Sequence, residues 1–274
     1  MLCMILVSCT GQKTGKENDN NDKIAIEVGE IKFPPQDVLQ LKSYYLSSSV
    51  HVDSIDYLIG YNYRLHSLDC MNLKSKSVTQ IVLPGDGPDA IVRLSGIYAQ
   101  SLDSVWISDE SERAFLIDSV GTIKRMIDLK KYLEDQEQLL INTNYVMFTS
   151  HLFYNASRHS LMFLVKHTPS NTFIVKEVFI DEVGKMATYQ LSSSKVVPDM
   201  SKGYAYINFP NVNFVGENIV YNYPVESSIY MLDIRTNERK YILADSHYTS
   251  NIIEKCTTSG DYATLEKHWL ENSH

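Results

Sequence analysis

Short apolar runs separated by polar turn residues recur along most of this chain. Such spacing favours β-strands over helices. Alternation is visible in two successive runs: Val105 and Ile107 lie on one face of the first run, and Phe115 and Ile117 lie on one face of the second. The run at 161–165 is apolar throughout, which is typical of a strand buried on both faces. The pattern predicts an all-β protein.

The runs fall into four sets. Three closely spaced runs form each set, at 55–62, 64–71 and 77–83; at 104–110, 113–119 and 122–129; at 159–168, 172–181 and 187–194; and at 218–224, 228–234 and 239–244. A further run precedes each set, at 43–52, 90–100, 145–156 and 204–215. Four strands recurring every ~45–60 residues indicate the antiparallel four-stranded repeats of a β-propeller.

Residues between the runs fit this interpretation, with two exceptions. Segments 118–121 and 233–237 contain residues that tolerate hairpin geometry. The glycine-rich segment 85–88 lacks the Lys of a phosphate loop and precedes no clear helix, so we interpret it as a turn between repeats. Segment 129–140 places its leucines near helical spacing and predicts a short helix, and 38–45 predicts a similar one more weakly.

The N-terminus suggests a membrane address. Residues 1–9 are mostly apolar and end in Leu6-Val7-Ser8-Cys9, which resembles the lipobox of bacterial lipoproteins. In such signals the cysteine is acylated, so the resemblance implies lipid attachment at Cys9 and anchoring in the cell envelope, with the outer membrane expected. No Lys or Arg precedes the run, and the run is short for a signal peptide. The alternatives are a start lying upstream or a chance cysteine.

Segment 10–23 contains no apolar residue and is predicted to be a flexible tether. The predicted propeller domain then spans 24–274. No later stretch is apolar for long enough to predict a transmembrane helix.

Composition narrows the function classes. The chain has 18 Tyr against 2 Trp and 9 Phe, which favours half-buried β surfaces. Its formal net charge is −8, and no basic stripe is present, so we expect no nucleic-acid binding. Beyond the signal, Cys70 and Cys256 could form a disulfide in an oxidising compartment, but buried, unpaired thiols are the favoured interpretation.

No catalytic, cofactor-binding or metal-ligating residue is predicted. The eight histidines lack zinc-site spacing, and no nucleophile-elbow motif occurs. Ser192-Ser193-Ser194-Lys195 lies in a polar loop without a companion motif. The acidic residues Asp109, Glu110 and Glu112, and the pair Asp181 and Glu182, could serve glycoside hydrolysis, although turns commonly carry acids.

Aromatic side chains offer a second candidate, a groove for a sugar or a peptide. Core packing between repeats is the favoured interpretation for these residues. They are Trp106, Tyr57, Tyr61, Tyr63, Tyr221 and Tyr223.

Two stretches carry resemblances to known families. Segments 103–109 and 116–121 resemble blades of six-bladed, TolB- and NHL-like propellers. Gly85-Asp86-Gly87-Pro88-Asp89, with 219–224 leading into 229–233, resembles an uncharacterised domain-of-unknown-function family of Gram-negative envelope lipoproteins. The resemblance covers 24–274 and implies six blades but no known activity. Members of that family look longer, so it predicts an incomplete ring truncated at the C-terminus.

Three hypotheses for function follow. The first is a noncatalytic binding or scaffolding propeller, held to the membrane by its N-terminal lipid, with a protein or glycan ligand. The second is an enzyme acting on glycans or peptides at the mouth of the propeller channel. The third is a degenerate fragment without function.

Overall fold

The computed structural model describes residues 29–33, 44–140, 152–195, 209–245, 251–252 and 267. Cys9 and the tether 10–23 lie outside these ranges, as does Cys256. Within the described chain, no helix is long and apolar enough to cross a membrane.

The strands form four antiparallel sheets. Sheet 1 contains β1 (Ser47–Val52), β2 (Ile55–Asn62), β3 (Ser67–Asn72) and β4 (Val78–Val82). Sheet 2 contains β5 (Leu94–Ser101), β6 (Ser104–Asp109), β7 (Arg113–Ile117) and β8 (Ile123–Asp128). Sheet 3 contains β9 (Glu137–Leu139), β10 (Leu152–Asn155), β11 (Ser160–His167), β12 (Thr172–Phe179) and β13 (Met186–Gln190). Sheet 4 contains β14 (Asn211–Val215), β15 (Asn218–Asn222), β16 (Ile229–Asp233) and β17 (Arg239–Ile242).

Each sheet is a meander of four consecutively paired strands, beginning with β1, β5, β10 and β14, and the short β9 pairs in addition with β11. Each of the sixteen apolar runs contains one strand, so the prediction of an all-β fold built from four-stranded repeats is confirmed. The described residues form four such sheets and not the six that the family resemblance implies.

The helix predicted at 129–140 is wrong for most of its length. A 3-10 helix covers only Leu129–Tyr132, and the chain then enters β9. There Leu139 pairs with Val165 of β11 and is buried, and Glu137 binds the fully buried Lys176 at 2.5 Å. Leucine spacing that fits a helix face is here divided between a helical turn and a strand. Most of the other predicted helix, 38–45, lies outside the described residues.

Three hydrophobic clusters join the sheets in sequence. Ile59 and Ile107 belong to a cluster between sheets 1 and 2, and Trp106 belongs to the next one, between sheets 2 and 3. Leu164 and Leu232 belong to the cluster between sheets 3 and 4. The first strands also adjoin, since β1 contacts β5 and β5 contacts β10. The sheets therefore stack face to face around a shared axis, as blades of a β-propeller do.

Polar side chains fix the crossover from sheet 1 to sheet 2. Nε2 of His66 lies 2.7 Å from the carbonyl oxygen of Ile91, and Arg113 donates to the carbonyl oxygen of Ala90 at 2.7 Å. Arg113 also pairs at 2.8 Å with the buried carboxylate of Asp109. The glycine-rich segment 85–88 begins this crossover, which confirms its interpretation as a turn between repeats.

Tyrosine hydroxyls from sheet 4 hold the loop that follows β13, the last strand of sheet 3. The hydroxyl of Tyr221 accepts from the Ser192 N–H, and the hydroxyl of Tyr223 donates to the Ser192 carbonyl. Tyr230 accepts from the Lys195 N–H. Burial raises the pKa of Tyr221, Tyr223 and Tyr230, which keeps these hydroxyls protonated. The tyrosine richness of the chain thus partly reflects the anchoring of this loop.

In three sheets, the turn after the third strand is held by an Asp or Asn side chain that accepts hydrogen bonds from N–H groups of the turn. Asp118 accepts from the N–H groups of Val120 and Thr122. Asp233 does the same for two residues of its turn, and Asn72 for two residues of its own. These side-chain turns confirm the hairpins predicted at 118–121 and 233–237.

Candidate ligand-binding cavity

The first strands of the four sheets line one cavity of about 1080 Å³. The lining includes Ser47, Ser48 and Ser49 from β1; Ile97 and Tyr98 from β5; Phe153, Tyr154 and Asn155 from β10; and Asn211, Val212, Asn213 and Phe214 from β14. Because the first strand of each sheet lies nearest the common axis, the cavity is the central channel of the assembly.

The channel continues along the outer face of sheet 4. Ile219 and Tyr221 pack inward against sheet 3, so Val220 and Asn222 point to the opposite face of the same strand. Val220, Asn222 and Ile229 all line the cavity. The space is therefore a channel that opens into a cleft beside sheet 4.

Three aromatic rings form a row on neighbouring first strands. The ring centroids of Tyr98 and Phe153 are 6.4 Å apart, and those of Phe153 and Phe214 are 4.4 Å apart. All three side chains are half-buried and line the cavity. Part of each ring is thus in contact with the core while another part faces the channel.

The polar part of the lining is almost entirely neutral. Serines dominate the β1 side, and asparagines dominate the β14 and β15 side. Hydroxyl and amide groups can both donate and accept hydrogen bonds. Ser48 also accepts from the Ala99 N–H at 3.0 Å, which fixes β1 against sheet 2.

Glu217 is the one charged side chain in the described lining. It lies in the β14–β15 turn, where Gly216 adopts a φ of +60°. Its Oε1 lies 2.8 Å from the hydroxyl of Ser157, while its Oε2 is buried and meets no donor among the described residues. Glu217 is therefore held at the channel wall through Ser157, while its second carboxylate oxygen is enclosed by the surrounding protein.

A buried polar network supports the wall near this glutamate. Glu177 accepts from the hydroxyls of Ser160 and Tyr189, at 2.5 and 2.7 Å, and lies 2.9 Å from Arg158. Burial, and then the hydrogen bond to Glu177, raise the pKa of Tyr189. Because Arg158 immediately follows the lining residue Ser157, this network holds the β10–β11 turn in place.

The aromatic candidates from the sequence lie mainly in the core. Trp106, Tyr61 and Tyr223 are fully buried between sheets, so core packing is confirmed for them. Tyr221 is buried as well and contributes to the cavity wall. Tyr63 is 46% exposed and lies outside the lining.

The two acidic groups are not brought together in the cavity. The carboxylate of Asp109 pairs with Arg113 and accepts hydrogen bonds from the N–H groups of its turn. Asp181 lies 2.5 Å from His159 and 3.3 Å from Arg125, at the edge between sheets 2 and 3. Neither carboxylate lines the channel.

The other residues that could have carried chemistry, Cys70 and the loop 192–195, are part of the packed structure. Cys70 is buried, and burial raises the pKa of its thiol to about 12, so it is a poor nucleophile at neutral pH. The loop 192–195 is the one fixed by tyrosines. Within the described ranges, no cluster of His, Cys, Asp or Glu could hold a metal ion.

Sequence reasoning identified none of the cavity residues as functional, apart from Tyr221. A signal for them existed, because each set of three runs was preceded by a fourth run. In a propeller the first strand of each blade lines the channel, so polar residues within those runs, such as Ser48 and Asn213, were the candidates to examine.

Comparison with known proteins identifies propellers among the structural neighbours. Apo AztD from Citrobacter koseri aligns with 14% identity over 72% of this chain and 46% of its own, at a TM-score of 0.40. The WD40 domain of SCAP from fission yeast aligns with 10% identity over 82% and 56%, at 0.42. BamB from Moraxella catarrhalis aligns with 9% identity over 70% and 47%, at 0.35.

No family model matches the sequence, and no curated protein matches it either. The chain spans about half the length of the solved structures that it matches. The propeller architecture therefore stands on the sheet order, the stacking clusters and the shared channel of this chain itself.

Proposed function

We propose that this protein is a noncatalytic binding propeller whose ligand occupies the central channel. The observation that carries the proposal is the cavity itself, which draws its lining from the first strands of all four sheets. Ligand sites are typically concave and combine apolar or aromatic surface with a few polar groups. This cavity has that composition, and a rigid set of strands positions it.

The chemistry of the lining favours binding over the alternative of a glycan- or peptide-acting enzyme. Glycosidases of the common type need two carboxylates across the scissile bond. The described lining contains one carboxylate, Glu217, and no histidine. An enzyme would need a second reacting group that the described wall does not supply.

A cavity-filling variant tests the binding proposal. Ser49 is exposed on β1 and lines the channel, so Ser49→Trp should obstruct it. Thr79→Trp places the same ring on the exposed outer strand of the same sheet and serves as control. The probe is saturation-transfer NMR with a mixture of free amino acids, nucleotides, and mono- and disaccharides.

We expect at least one class of probe to bind the unaltered protein and the Thr79→Trp variant but not the Ser49→Trp variant. If no probe binds, or if the two variants behave alike, the channel is not a binding site.

We also propose that the protein is a lipoprotein of the bacterial cell envelope, acylated at Cys9 and held in the outer membrane. The support is the sequence Leu6-Val7-Ser8-Cys9 followed by the apolar-free segment 10–23. Radiolabelled palmitate should label the protein in a bacterial host, and Cys9→Ser should abolish the label and release the protein from the membrane fraction. Cys3→Ser is the matched control and should change neither. Label retained by Cys9→Ser would refute the anchor.

A third part of the proposal is that the four sheets belong to a larger ring, as the six-bladed resemblance implies. Among the described residues, hydrophobic clusters join sheets 1 to 2, 2 to 3 and 3 to 4, but none joins sheet 4 to sheet 1. Apolar side chains on sheet 4 remain exposed, including Val215 at 59% and Ile242 at 47%. A further blade against sheet 4 would cover such residues and fill the cleft beside Val220 and Asn222, while the first strands would still line the channel.

A further inference from the structure

The row formed by Tyr98, Phe153 and Phe214 packs against the core on one side and faces the channel on the other. Other aromatic residues of the core, such as Trp106 and Tyr223, are fully buried between sheets. The three rings of the row are instead half-buried, one on each of three neighbouring first strands. They present a stepped apolar surface along the channel wall, on which a flat apolar face of a ligand can stack.

The polar surroundings of the row restrict the charge of such a ligand. No Lys, Arg or His belongs to the described lining, and Glu217 alone carries charge. A phosphate or carboxylate placed here would lose its water without gaining a cationic partner, which is costly. The wall therefore selects against anions.

The same surroundings suit a ligand rich in hydroxyl groups. Asn211 and Asn213 of β14 on one side and the serines of β1 on the other can each donate and accept hydrogen bonds. Carbohydrates combine hydroxyl edges with apolar ring faces, and a neutral carbohydrate meets both demands of this wall.

We propose that the channel binds a neutral oligosaccharide, with sugar rings stacked on Tyr98, Phe153 and Phe214 and hydroxyls bonded to the serines of β1 and the asparagines of β14. This inference rests on the proposed binding function and names its ligand class.

An array of α-glucans, β-glucans, chitooligosaccharides and acidic uronate glycans provides the first test. Neutral glycans should bind and acidic ones should not. Isothermal titration calorimetry with the strongest neutral glycan then compares Phe153→Ala, Phe153→Tyr and Tyr63→Ala. Tyr63→Ala removes a ring that is 46% exposed and lies outside the channel.

Phe153→Ala should weaken binding about tenfold or more, because it removes the central stacking ring. Phe153→Tyr and Tyr63→Ala should bind as the unaltered protein does. Melting temperatures of all variants show whether the fold survives, and Phe153→Tyr keeps the test informative if Phe153→Ala unfolds.

Absence of neutral glycan binding, equal binding of acidic glycans, loss of binding in Phe153→Tyr, or full binding by a folded Phe153→Ala would each overturn the inference. If Ser49→Trp still abolishes binding of another probe class, the channel remains a binding site and only the carbohydrate assignment fails.

Discussion

At the scale of single residues, turn side chains contribute more than the apolar pattern shows. Asp118 illustrates this, because it organises a turn and also pairs with Lys124 at 2.7 Å. The hydrogen bond from Lys124 is the main cause that lowers the pKa of Asp118 to about 2. The sequence identified the turn but gave no indication of this ion pair.

The lowered pKa predicts a specific pH dependence of stability. The usual pKa of an aspartate is about 3.9, so this carboxylate stabilises the fold above about pH 4, and the contribution is lost as the pH falls towards 2. Asp118→Asn should be less stable at neutral pH and should lose less stability between pH 4 and pH 2. Urea unfolding at several pH values measures this. Asp89→Asn, at an exposed site, removes the same charge and should follow the unaltered protein.

Gly121 shows a second residue-scale effect, where a turn of sheet 2 contacts sheet 1. Its φ is +85°, and an added Cβ would lie 2.3 Å from the carbonyl oxygen of Val82. Gly184 has a φ of +81° with open space around it. The two glycines thus share the same backbone conformation and differ only in their surroundings.

Substituting alanine at each glycine separates the cost of backbone strain from the cost of a steric clash with the neighbouring sheet. Gly184→Ala should cost about 1–2 kcal/mol of unfolding free energy, because a Cβ disfavours the left-handed region. Gly121→Ala should cost roughly 1–3 kcal/mol more, because the sheets must also move apart. Chemical denaturation measures both. Equal losses would mean that the turn of sheet 2 does not press on Val82.

At the scale of elements, the positions of strands were predictable from local sequence, but strands that depend on distant partners were not. Sixteen apolar runs became sixteen strands because alternation and turn residues are local signals. The segment 129–140 misled because β9 exists only through distant partners, namely Val165 and the buried Lys176. No local pattern carries that information.

The two faces of sheet 4 permit a test of the larger ring. Leu232 is fully buried towards sheet 3, while Ile242 on the neighbouring strand is 47% exposed. Leu232→Lys should destabilise the protein by roughly 4 kcal/mol or more, because it buries an unpaired charge. If a further blade packs against sheet 4, Ile242→Lys should also destabilise the protein, by more than about 1 kcal/mol, because the lysine replaces an apolar side chain that the blade covers.

Thermal and chemical unfolding of the two lysine variants provide the comparison. A change of less than about 0.5 kcal/mol for Ile242→Lys would show that this face of sheet 4 meets solvent, and the case for a further blade there would fail.

At the scale of the whole molecule, the propeller was predictable, but the residues that line its channel were not. Repeats of four strands imply blades around an axis, and the three stacking clusters realise that arrangement. Which side chains meet at the axis depends on how neighbouring sheets are placed against one another, and the sequence pattern carries no such information. Phe153 and Phe214 are 61 residues apart in the sequence (214 − 153), and they become neighbours only through the packing of sheet 3 against sheet 4.

Crystals grown with the neutral glycan that binds most tightly test the proposed site directly. Electron density for the sugar should lie in the channel, against the ring of Phe153 and between Ser49 of β1 and Asn213 of β14. Density on the outer strands β4, β8, β13 or β17, or an empty channel in crystals saturated with that glycan, would contradict the proposal that the shared channel of the four sheets is the binding site.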